Sequence, residues 1–238
     1  MKILFVHGAL VFDGAWWWHR MVEPLAAHGL ETLAVELPSC VASPEESGEA
    51  PGDMYADADA VRAAIDEGDE PVVLVGHSYG SMVITDAAAG CGNVKHLVYV
   101  TSMMPELGET MASFGGSREP GPWMDPHPED GMMGLKTEFL PEAFMQDCDE
   151  ATVAEALERV TRQPLAVFGQ TPRAVAWREK PSTYVVCAED RATPPEAQRE
   201  LARRADSIVE LPTGHHPMLS RPELLARVLA EAAATPHG

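Results

Sequence analysis

The sequence predicts an α/β protein in which a mainly parallel sheet of about six strands is flanked by helices. Short, β-branched apolar runs alternate with helical patterns along most of the 238 residues. Each run contains consecutive apolar residues, as is typical of strands that are buried on both faces. A helical pattern separates successive runs, which is the chain order of a parallel sheet with helices on both sides.

Six apolar runs are predicted to be strands. In chain order they are KILFVHG, TLAVELP, VVLVGHS, KHLVYVTS, STYVVCAED and SIVELPT. The helical patterns lie at about residues 17–28, 54–66, 79–89, 195–205 and 221–233. With 45% hydrophobic residues, a chain of this length can bury one large core.

The alternation is interrupted after the fourth strand by residues 105–177. This interruption begins with a segment rich in Gly, Pro and Met, and its second half has helical spacing in PEAFMQDC and ATVAEALERVTRQ. A connection this long in a compact α/β domain is usually a lid or a binding loop. We therefore predict one α/β domain, residues 1–238, with a helical cap at residues 105–177.

Acidic residues strongly outnumber basic ones. The 17 Lys and Arg against 37 Asp and Glu give a formal charge of -20, which disfavours nucleic acid and anionic membrane surfaces as partners. No apolar run approaches the roughly 20 residues of a membrane span. Lys2 leads directly into ILFVHG without the cleavage region of a signal peptide. We expect a soluble, cytoplasmic protein that is a monomer or a homodimer.

Neither a disulfide framework nor a metal site is predicted. The four cysteines are widely spaced, without a CxxC pair. The group Asp125, His127, Glu129 and Asp130 contains potential metal ligands. However, one histidine among exposed acids is more typical of a solvated loop. We assign no metal and no cofactor.

The stretch VVLVGHSYGS, residues 72–81, carries the strongest chemical signal. It satisfies G-x-S-x-G in the strand-then-helix context that a nucleophile elbow requires. Gly76 and Gly80 provide space for the tight turn, and Ser78 is expected in a strained backbone conformation. Its hydroxyl then lies at the carboxyl end of a central strand and at a helix N-terminus, which favours developing negative charge.

A serine nucleophile needs a histidine base and an acid that orients it. Candidates follow at the ends of the next two predicted strands, in the order serine, acid, histidine. Asp190 is preferred over Glu189 because it lies nearer the loop. His215 is preferred over His216 because Gly214 permits a sharp turn that aims the side chain at Ser78. His216 is then expected to line the pocket.

The reaction also needs two N–H donors for a developing oxyanion. Tyr79 supplies one donor from the elbow, and Ala9, in the loop after the first strand, supplies the second. His7 is interpreted as a structural residue below this loop. The adjacent tryptophans at residues 16–18 are interpreted as packing against the sheet.

At these residues the chain resembles the α/β hydrolase superfamily. Within it, the chain is similar to small esterases related to plant methyl-ester esterases, hydroxynitrile lyases and bacterial pyrethroid-hydrolase-like carboxylesterases. The resemblance covers nearly the whole chain, and its specific parts are FVHGA, VGHSYG, HLVYVTSMMPELGE, PSTYVVCAEDRATPPEAQ and TGHHPMLSRPELLA. It implies a Ser78, Asp190 and His215 triad, an oxyanion hole from Ala9 and Tyr79, no cofactor, and a helical cap over a hydrophobic pocket.

Two positions depart from the hydroxynitrile lyases, which carry a threonine after the first strand's histidine and a lysine after the catalytic histidine. Here these positions are Gly8 and His216. The sequence therefore favours a serine hydrolase that cleaves a carboxylic ester or lactone of a small, largely apolar substrate through an acyl-enzyme. The alternatives are a cofactor-free lyase or cyclase that uses the same triad, and a non-catalytic small-molecule receptor. The residues assigned to substrate binding are Leu10, His216, Met104, Trp123 and Met133.

Overall fold

The computed structural model describes residues 1–42, 50–113 and 121–235. The strands in these ranges are β1 (Lys2–Val6), β2 (Glu31–Val35), β3 (Val72–His77), β4 (Val94–Val100), β5 (Met124–His127), β6 (Met132–Leu135), β7 (Gln163–Pro164), β8 (Ser182–Cys187) and β9 (Ser207–Leu211). Six of them form one parallel sheet in the order β2-β1-β3-β4-β8-β9. The predicted fold class is confirmed.

Helices cover both faces of this sheet. In the described ranges they are α1 (Gly14–Trp17), α2 (His19–Ala26), α3 (Met54–Asp66), α4 (Gly80–Ala87), α5 (Glu150–Leu157), α6 (Ala166–Gly169), α7 (Pro195–Ala202), α8 (Pro217–Ser220) and α9 (Pro222–Ala234). None of these helices combines the length and the apolar character needed to span a bilayer. Their bounds lie close to the predicted ones, except that the first predicted helix begins earlier and is divided at Trp18.

The apolar residues of strand β3 pack on both faces of the sheet. Val72 and Leu74 belong to the core cluster that contains α3 and α4 side chains. Val73 and Val75 belong to the cluster on the other face, with α2 and α9. Because successive side chains of a strand point to opposite faces, a strand covered on both sides carries apolar side chains at successive positions, as residues 72–75 do.

The chain between β4 and β8 contains more than the predicted helices. Strands β5, β6 and β7 form a three-stranded antiparallel sheet. A π-helical turn over Leu140–Phe144 and the helix α5 lie in the segments with predicted helical spacing, and α6 follows them. Residues 114–120, which belong to the Gly- and Pro-rich part of this segment, lie outside the described residues. The cap boundaries at residues 105 and 177 remain a prediction.

Candidate active site

Ser78 lies at the carboxyl end of β3 in a left-handed backbone conformation, with φ 51°. Such a conformation costs of order 1–3 kcal/mol for a non-glycine residue and persists only where its surroundings hold it. Two hydrogen bonds do so here: Ser78 N–H donates to the Val100 carbonyl (3.2 Å), and the Ser78 carbonyl accepts from Ser81 N–H (3.2 Å). The Ser78 side chain is partly exposed, so its hydroxyl is accessible.

The two elbow glycines permit this turn through close packing. A Cβ on Gly76 would lie 2.8 Å from Ser81 Cα, and one on Gly80 would lie 2.6 Å from the His7 carbonyl oxygen. Both obstacles are backbone atoms, which cannot move aside cheaply. A side chain at either glycine would therefore collide with neighbouring backbone atoms, so the turn requires glycine at both positions.

Substitution Gly76→Ala is expected to destabilise the protein by about 1–3 kcal/mol or more, because the added methyl group has no space between β3 and α4. Urea unfolding followed by circular dichroism measures this change. Gly92→Ala is the matched control, because a Cβ at this position meets no atom within 4 Å. Its expected effect is below about 1 kcal/mol. Equal stability of the two variants would contradict the close packing of the elbow.

The structure brings Asp190 and His215 together. His215 Nδ1 lies 2.8 Å from Asp190 Oδ2, and both side chains are buried. Asp190 follows β8 and His215 follows β9, so each residue comes from a loop at the carboxyl edge of the sheet, where Ser78 also lies. The further donors to the Asp190 carboxylate are Thr101 Oγ1, Ala192 N–H (2.8 Å), Thr193 N–H (2.9 Å) and Gln198 Nε2 (3.2 Å).

These donors keep Asp190 ionised. Burial alone would raise the pKa of Asp190, but the charge and hydrogen bond of His215, together with donation from Thr101 and Thr193, lower this pKa below its ordinary value. A carboxylate at this position accepts from Nδ1–H of His215. The tautomer that results leaves Nε2 of His215 free to accept a proton.

The loop that carries His215 is held by a second buried histidine that the sequence analysis did not single out. His77, which precedes Ser78, contacts the His215 carbonyl oxygen through Nε2 at 2.8 Å. Burial, together with the charges of His215 and His216, lowers the pKa of His77 well below its ordinary value. A neutral His77 can donate Nε2–H to this carbonyl. The only sequence signal for this role is its position inside G-x-S-x-G.

The insertion also contacts the His215 loop. Gly214 N–H donates to Asp147 Oδ2 (2.7 Å), and a Cβ on Gly214 would lie 2.6 Å from Gln146 Nε2. Gln146 Nε2 in turn donates to the Glu189 carbonyl (2.7 Å), next to Asp190 in the chain. Gly214 is not among the residues with positive φ. The sharp turn that the sequence analysis assigned to this glycine remains a prediction, and side chains of the insertion also approach it closely.

His216 is buried beside the site and is neutral. Its Nδ1–H donates to the Phe144 carbonyl (3.0 Å), and its ring centroid lies 4.9 Å from that of Trp17. Burial, together with the charge of His215, lowers the pKa of His216 to about 3. Its assignment to substrate binding remains a prediction.

The loop after β1 lies directly against the elbow. A Cβ on Gly8 would lie 3.4 Å from Ser78 Cβ and 3.2 Å from His77 Nδ1. Ala9, next in the chain, is partly exposed, and Tyr79 follows Ser78 at the start of α4. Within residues 1–42, 50–113 and 121–235, no acceptor is paired with the backbone N–H of Ala9 or Tyr79. Their assignment to an oxyanion hole remains a prediction.

The predicted pocket residues lie in two groups. Leu10, Met104 and Met133 are buried in the core cluster that contains Tyr79. Trp123 is partly exposed, and its ring packs edge-on against Phe144 with a centroid separation of 5.7 Å. The Phe144 ring lies 5.3 Å from the His215 ring, so Phe144 connects Trp123 to the candidate base. Phe144 belongs to the apolar residues of the insertion, but spacing alone did not place it at His215.

The candidate metal ligands do not form a metal cluster. In the part of the chain that the structure describes, no group of three or more His, Cys, Asp or Glu is arranged to hold an ion. Hydrogen bonds that His127 donates to Glu129 and Asp125 raise the pKa of His127. All four cysteines are free, and burial raises the pKa of Cys40 to about 12.

Comparisons with known proteins identify the family of this chain. Residues 3–228 match the alpha/beta hydrolase family. The pyrethroid hydrolase of Sphingobium wenxiniae is 28% identical and covers 98% of this chain and 88% of its own length. Methylesterase 2 of Arabidopsis thaliana is 26% identical, with coverage of 94% and 92%. A solved pyrethroid hydrolase from Sphingobium faniae has a TM-score of 0.84 at 26% identity and covers 99% of this chain and 98% of that chain.

Several relatives are thus named for ester hydrolysis, which supports this reaction as the general activity. The family match covers nearly the entire chain, and the six-stranded parallel sheet has the architecture that the match requires. The chain belongs to the alpha/beta hydrolase family.

Proposed function

We propose that this chain hydrolyses carboxylic esters or lactones of small, largely apolar molecules through Ser78, His215 and Asp190. The observation that carries the proposal is the 2.8 Å contact between His215 Nδ1 and Asp190 Oδ2, at the same sheet edge as Ser78 on its strained elbow. The family match and the esterase-type relatives support the same reaction class.

In the first half of the reaction, His215 Nε2 takes the proton of the Ser78 hydroxyl while Ser78 Oγ bonds to the carbonyl carbon. The negative charge that develops on the carbonyl oxygen is stabilised by the N–H groups of Ala9 and Tyr79. The tetrahedral intermediate then loses the alkoxide, which takes the proton from His215 and leaves as the alcohol. An acyl group remains on Ser78.

In the second half, water replaces the alcohol. His215 takes a proton from water, the resulting hydroxide adds to the acyl carbon, and Ser78 leaves with the proton held by His215. The acid is released and the free enzyme returns. Each step uses groups of this chain and water, so the proposal includes no cofactor.

A lyase that uses the same three residues is less well supported. The related hydroxynitrile lyases carry a lysine after the catalytic histidine, whereas here that position holds His216. Because burial lowers the pKa of His216 to about 3, this side chain supplies no positive charge near neutral pH. A cyanide leaving group would therefore lack a cation beside His215.

The insertion supports an apolar substrate. Met133 and Phe168 of the insertion belong to the core cluster that contains Leu10 and Tyr79, and Trp123 packs on Phe144. Methionine side chains adapt to different ligand shapes, and an acidic protein surface disfavours anionic substrates. We include uncharged esters and lactones in the substrate class for this reason.

The proposal is tested with p-nitrophenyl acetate and mass spectrometry. A rapid release of p-nitrophenol followed by a slower steady rate is expected, with the acetyl group on the peptide that contains Ser78. A fluorophosphonate should label the same residue and stop turnover. Ester cleavage without any covalent species on Ser78 would contradict the acyl-enzyme, and turnover of cyanohydrins but not of esters would favour the lyase.

A further inference from the structure

A chain of buried polar side chains connects the two segments that carry the proposed oxyanion donors. Leu10 N–H donates to Gln163 Oε1 (3.2 Å), and Gln163 Nε2 donates to Ser39 Oγ (2.7 Å). Ser39 Oγ and Tyr79 OH both contact Asp57 Oδ2 at 2.5 Å. Gln163, Ser39, Asp57 and Tyr79 are each 0% exposed.

The direction of each hydrogen bond follows from the first one. A backbone N–H can only donate, so the oxygen of the Gln163 amide faces Leu10 and its NH₂ group faces Ser39. Since Ser39 Oγ accepts from Gln163, its own proton is available for Asp57. Asp57 Oδ1 also accepts from Ser39 N–H (2.8 Å). The whole chain of donors therefore ends on one carboxylate.

A carboxylate at this place is an expensive choice for stability. The groups that donate to Asp57 are the uncharged hydroxyls of Ser39 and Tyr79 and the Ser39 amide. Burial raises the pKa of Asp57 because it disfavours the ionised form, although these donors oppose it. Apolar side chains of similar volume often stabilise a core at least as well as a buried charge. The cost of burying Asp57 suggests a role in geometry rather than in stability.

The two ends of this chain of hydrogen bonds lie next to the two proposed oxyanion donors. At one end, Gln163 fixes the peptide unit that follows Ala9, in a loop where Leu10 has φ 64°. At the other end, Asp57 fixes the side chain of Tyr79, whose backbone N–H follows the strained Ser78. Both ends are therefore next to a proposed donor and next to a backbone conformation that requires support.

We propose that Gln163, Ser39 and Asp57 are positioning residues that set the distance between the Ala9 and Tyr79 amides. This inference rests on the proposed function. Gln163 belongs to β7 of the insertion. The insertion also holds the loop after β1 through a second hydrogen bond, in which Thr161 N–H donates to the Leu10 carbonyl (2.9 Å). Through Gln163 and Thr161, the insertion thus takes part in transition-state stabilisation by positioning the loop that carries Ala9.

The test compares Tyr79→Phe with Tyr99→Phe. Both tyrosines are fully buried, and each substitution removes one hydroxyl. The Tyr99 hydroxyl contacts Thr85 Oγ1 (2.9 Å) and lies outside the chain of side chains described above. Tyr79→Phe is expected to lower kcat for p-nitrophenyl acetate by about tenfold to 100-fold with little change in KM, because a displaced donor weakens only transition-state binding. Tyr99→Phe is expected to leave both constants within about twofold of the wild type.

A second readout is the affinity for phenylboronic acid, which forms a tetrahedral adduct with a reactive serine. Its inhibition constant is expected to rise in Tyr79→Phe by about the same factor as kcat falls. Gln163→Leu removes the hydrogen bonds at the other end of this network, and it should likewise lower kcat with little change in KM. Because both substitutions interrupt one network, the double variant should lose less activity than the product of the single effects.

The outcomes separate the two proposals. Hydrolysis that is unaffected by Ser78→Ala would overturn the proposed function and this inference with it. Ser78-dependent hydrolysis in which Tyr79→Phe behaves like Tyr99→Phe would overturn the inference alone. A rise in KM without a fall in kcat would also overturn it, since it would show loss of substrate binding instead of loss of oxyanion stabilisation.

Discussion

Replacing Ser78 with alanine is expected to lower kcat/KM for p-nitrophenyl acetate by about 10⁴-fold to 10⁶-fold. The substitution removes the only atom that can form the acyl-enzyme in the proposed reaction. It leaves the two amides of the proposed oxyanion hole and the pocket, so a slow rate above that of water remains. Steady-state kinetics with enzyme freed of wild-type contamination measure the effect.

The same experiment tests whether Asp190 and His215 act with Ser78 as a unit. Asp190→Asn alone is expected to cost about 10⁴-fold in kcat, because an amide at this place no longer favours the His215 tautomer that accepts a proton on Nε2. In the double variant with Ser78→Ala, no further loss is expected, since the base has no nucleophile to activate.

Ser207→Ala is the control for the Ser78 substitution. Ser207 is exposed at the start of β9, so the same chemical change there should leave kcat/KM unaltered. If Ser78→Ala kept ester hydrolysis within about tenfold of the wild type, the nucleophile would be elsewhere and the proposed mechanism would be wrong.

The sequence predicted the large sheet because its signal is repeated. Six apolar runs, five of them followed directly by a helical pattern, leave few other arrangements, and the structure confirms the parallel sheet. The same pattern directed the search for the site residues, since Ser78, Asp190 and His215 each follow an apolar run. The choices of Asp190 over Glu189 and of His215 over His216 needed further arguments. The structure places Asp190 and His215 in contact, whereas the catalytic roles of the three remain a prediction.

The small sheet of the insertion was not predictable in the same way. Its strands are two to four residues long, and Pro126, Gly134 and Pro164 interrupt any β-branched run. The polar chain from Leu10 to Tyr79 was equally hidden. Gln163, Ser39 and Asp57 come from three distant parts of the sequence, and polar residues of these types are exposed in most proteins. Only the packing of the insertion against the sheet buries them together.

Acid is expected to unfold this protein in a range where many proteins are still stable, because three buried histidines are held neutral. Burial lowers the pKa of His7, of His77 and of His216, in the last case to about 3. In the unfolded chain each histidine takes up a proton below about pH 6.5. As the pH falls through this value, the unfolded state therefore binds protons that the native state does not.

The size of this effect follows from linkage. Each histidine that is neutral in the native state and protonated in the unfolded state lowers the free energy of unfolding by up to about 1.4 kcal/mol per pH unit. Three such residues give up to about 4 kcal/mol per unit, against a total stability of about 5–15 kcal/mol for a typical domain. Urea unfolding between about pH 7.5 and pH 5 should show the midpoint falling steeply.

Two buried carboxyl groups modify this curve with opposite signs. The pKa of Asp57 is raised, mainly by burial, so the native state takes up this proton at a higher pH than the unfolded state and gains stability as the pH falls, which opposes the effect of the histidines. Burial alone would raise the pKa of Asp190, but the His215 charge and the hydrogen bonds to Asp190 outweigh burial and lower this pKa. Its stabilising contribution is present above about pH 3.9 and is lost only below that value. The steep region above pH 5 therefore belongs to the histidines.

His216→Asn isolates one of these contributions. An asparagine NH₂ group can replace Nδ1–H as the donor to the Phe144 carbonyl, but it does not titrate. We expect the pH slope of the unfolding free energy to fall by about 1.4 kcal/mol per unit, the contribution of one proton, even if the lost ring lowers stability at every pH. His28→Asn is the control, because it makes the same chemical change at an exposed residue after α2. A slope that is equal in the wild type and in His216→Asn would mean that His216 is protonated in the native state, and the absence of a cation beside His215 could no longer be used against the lyase.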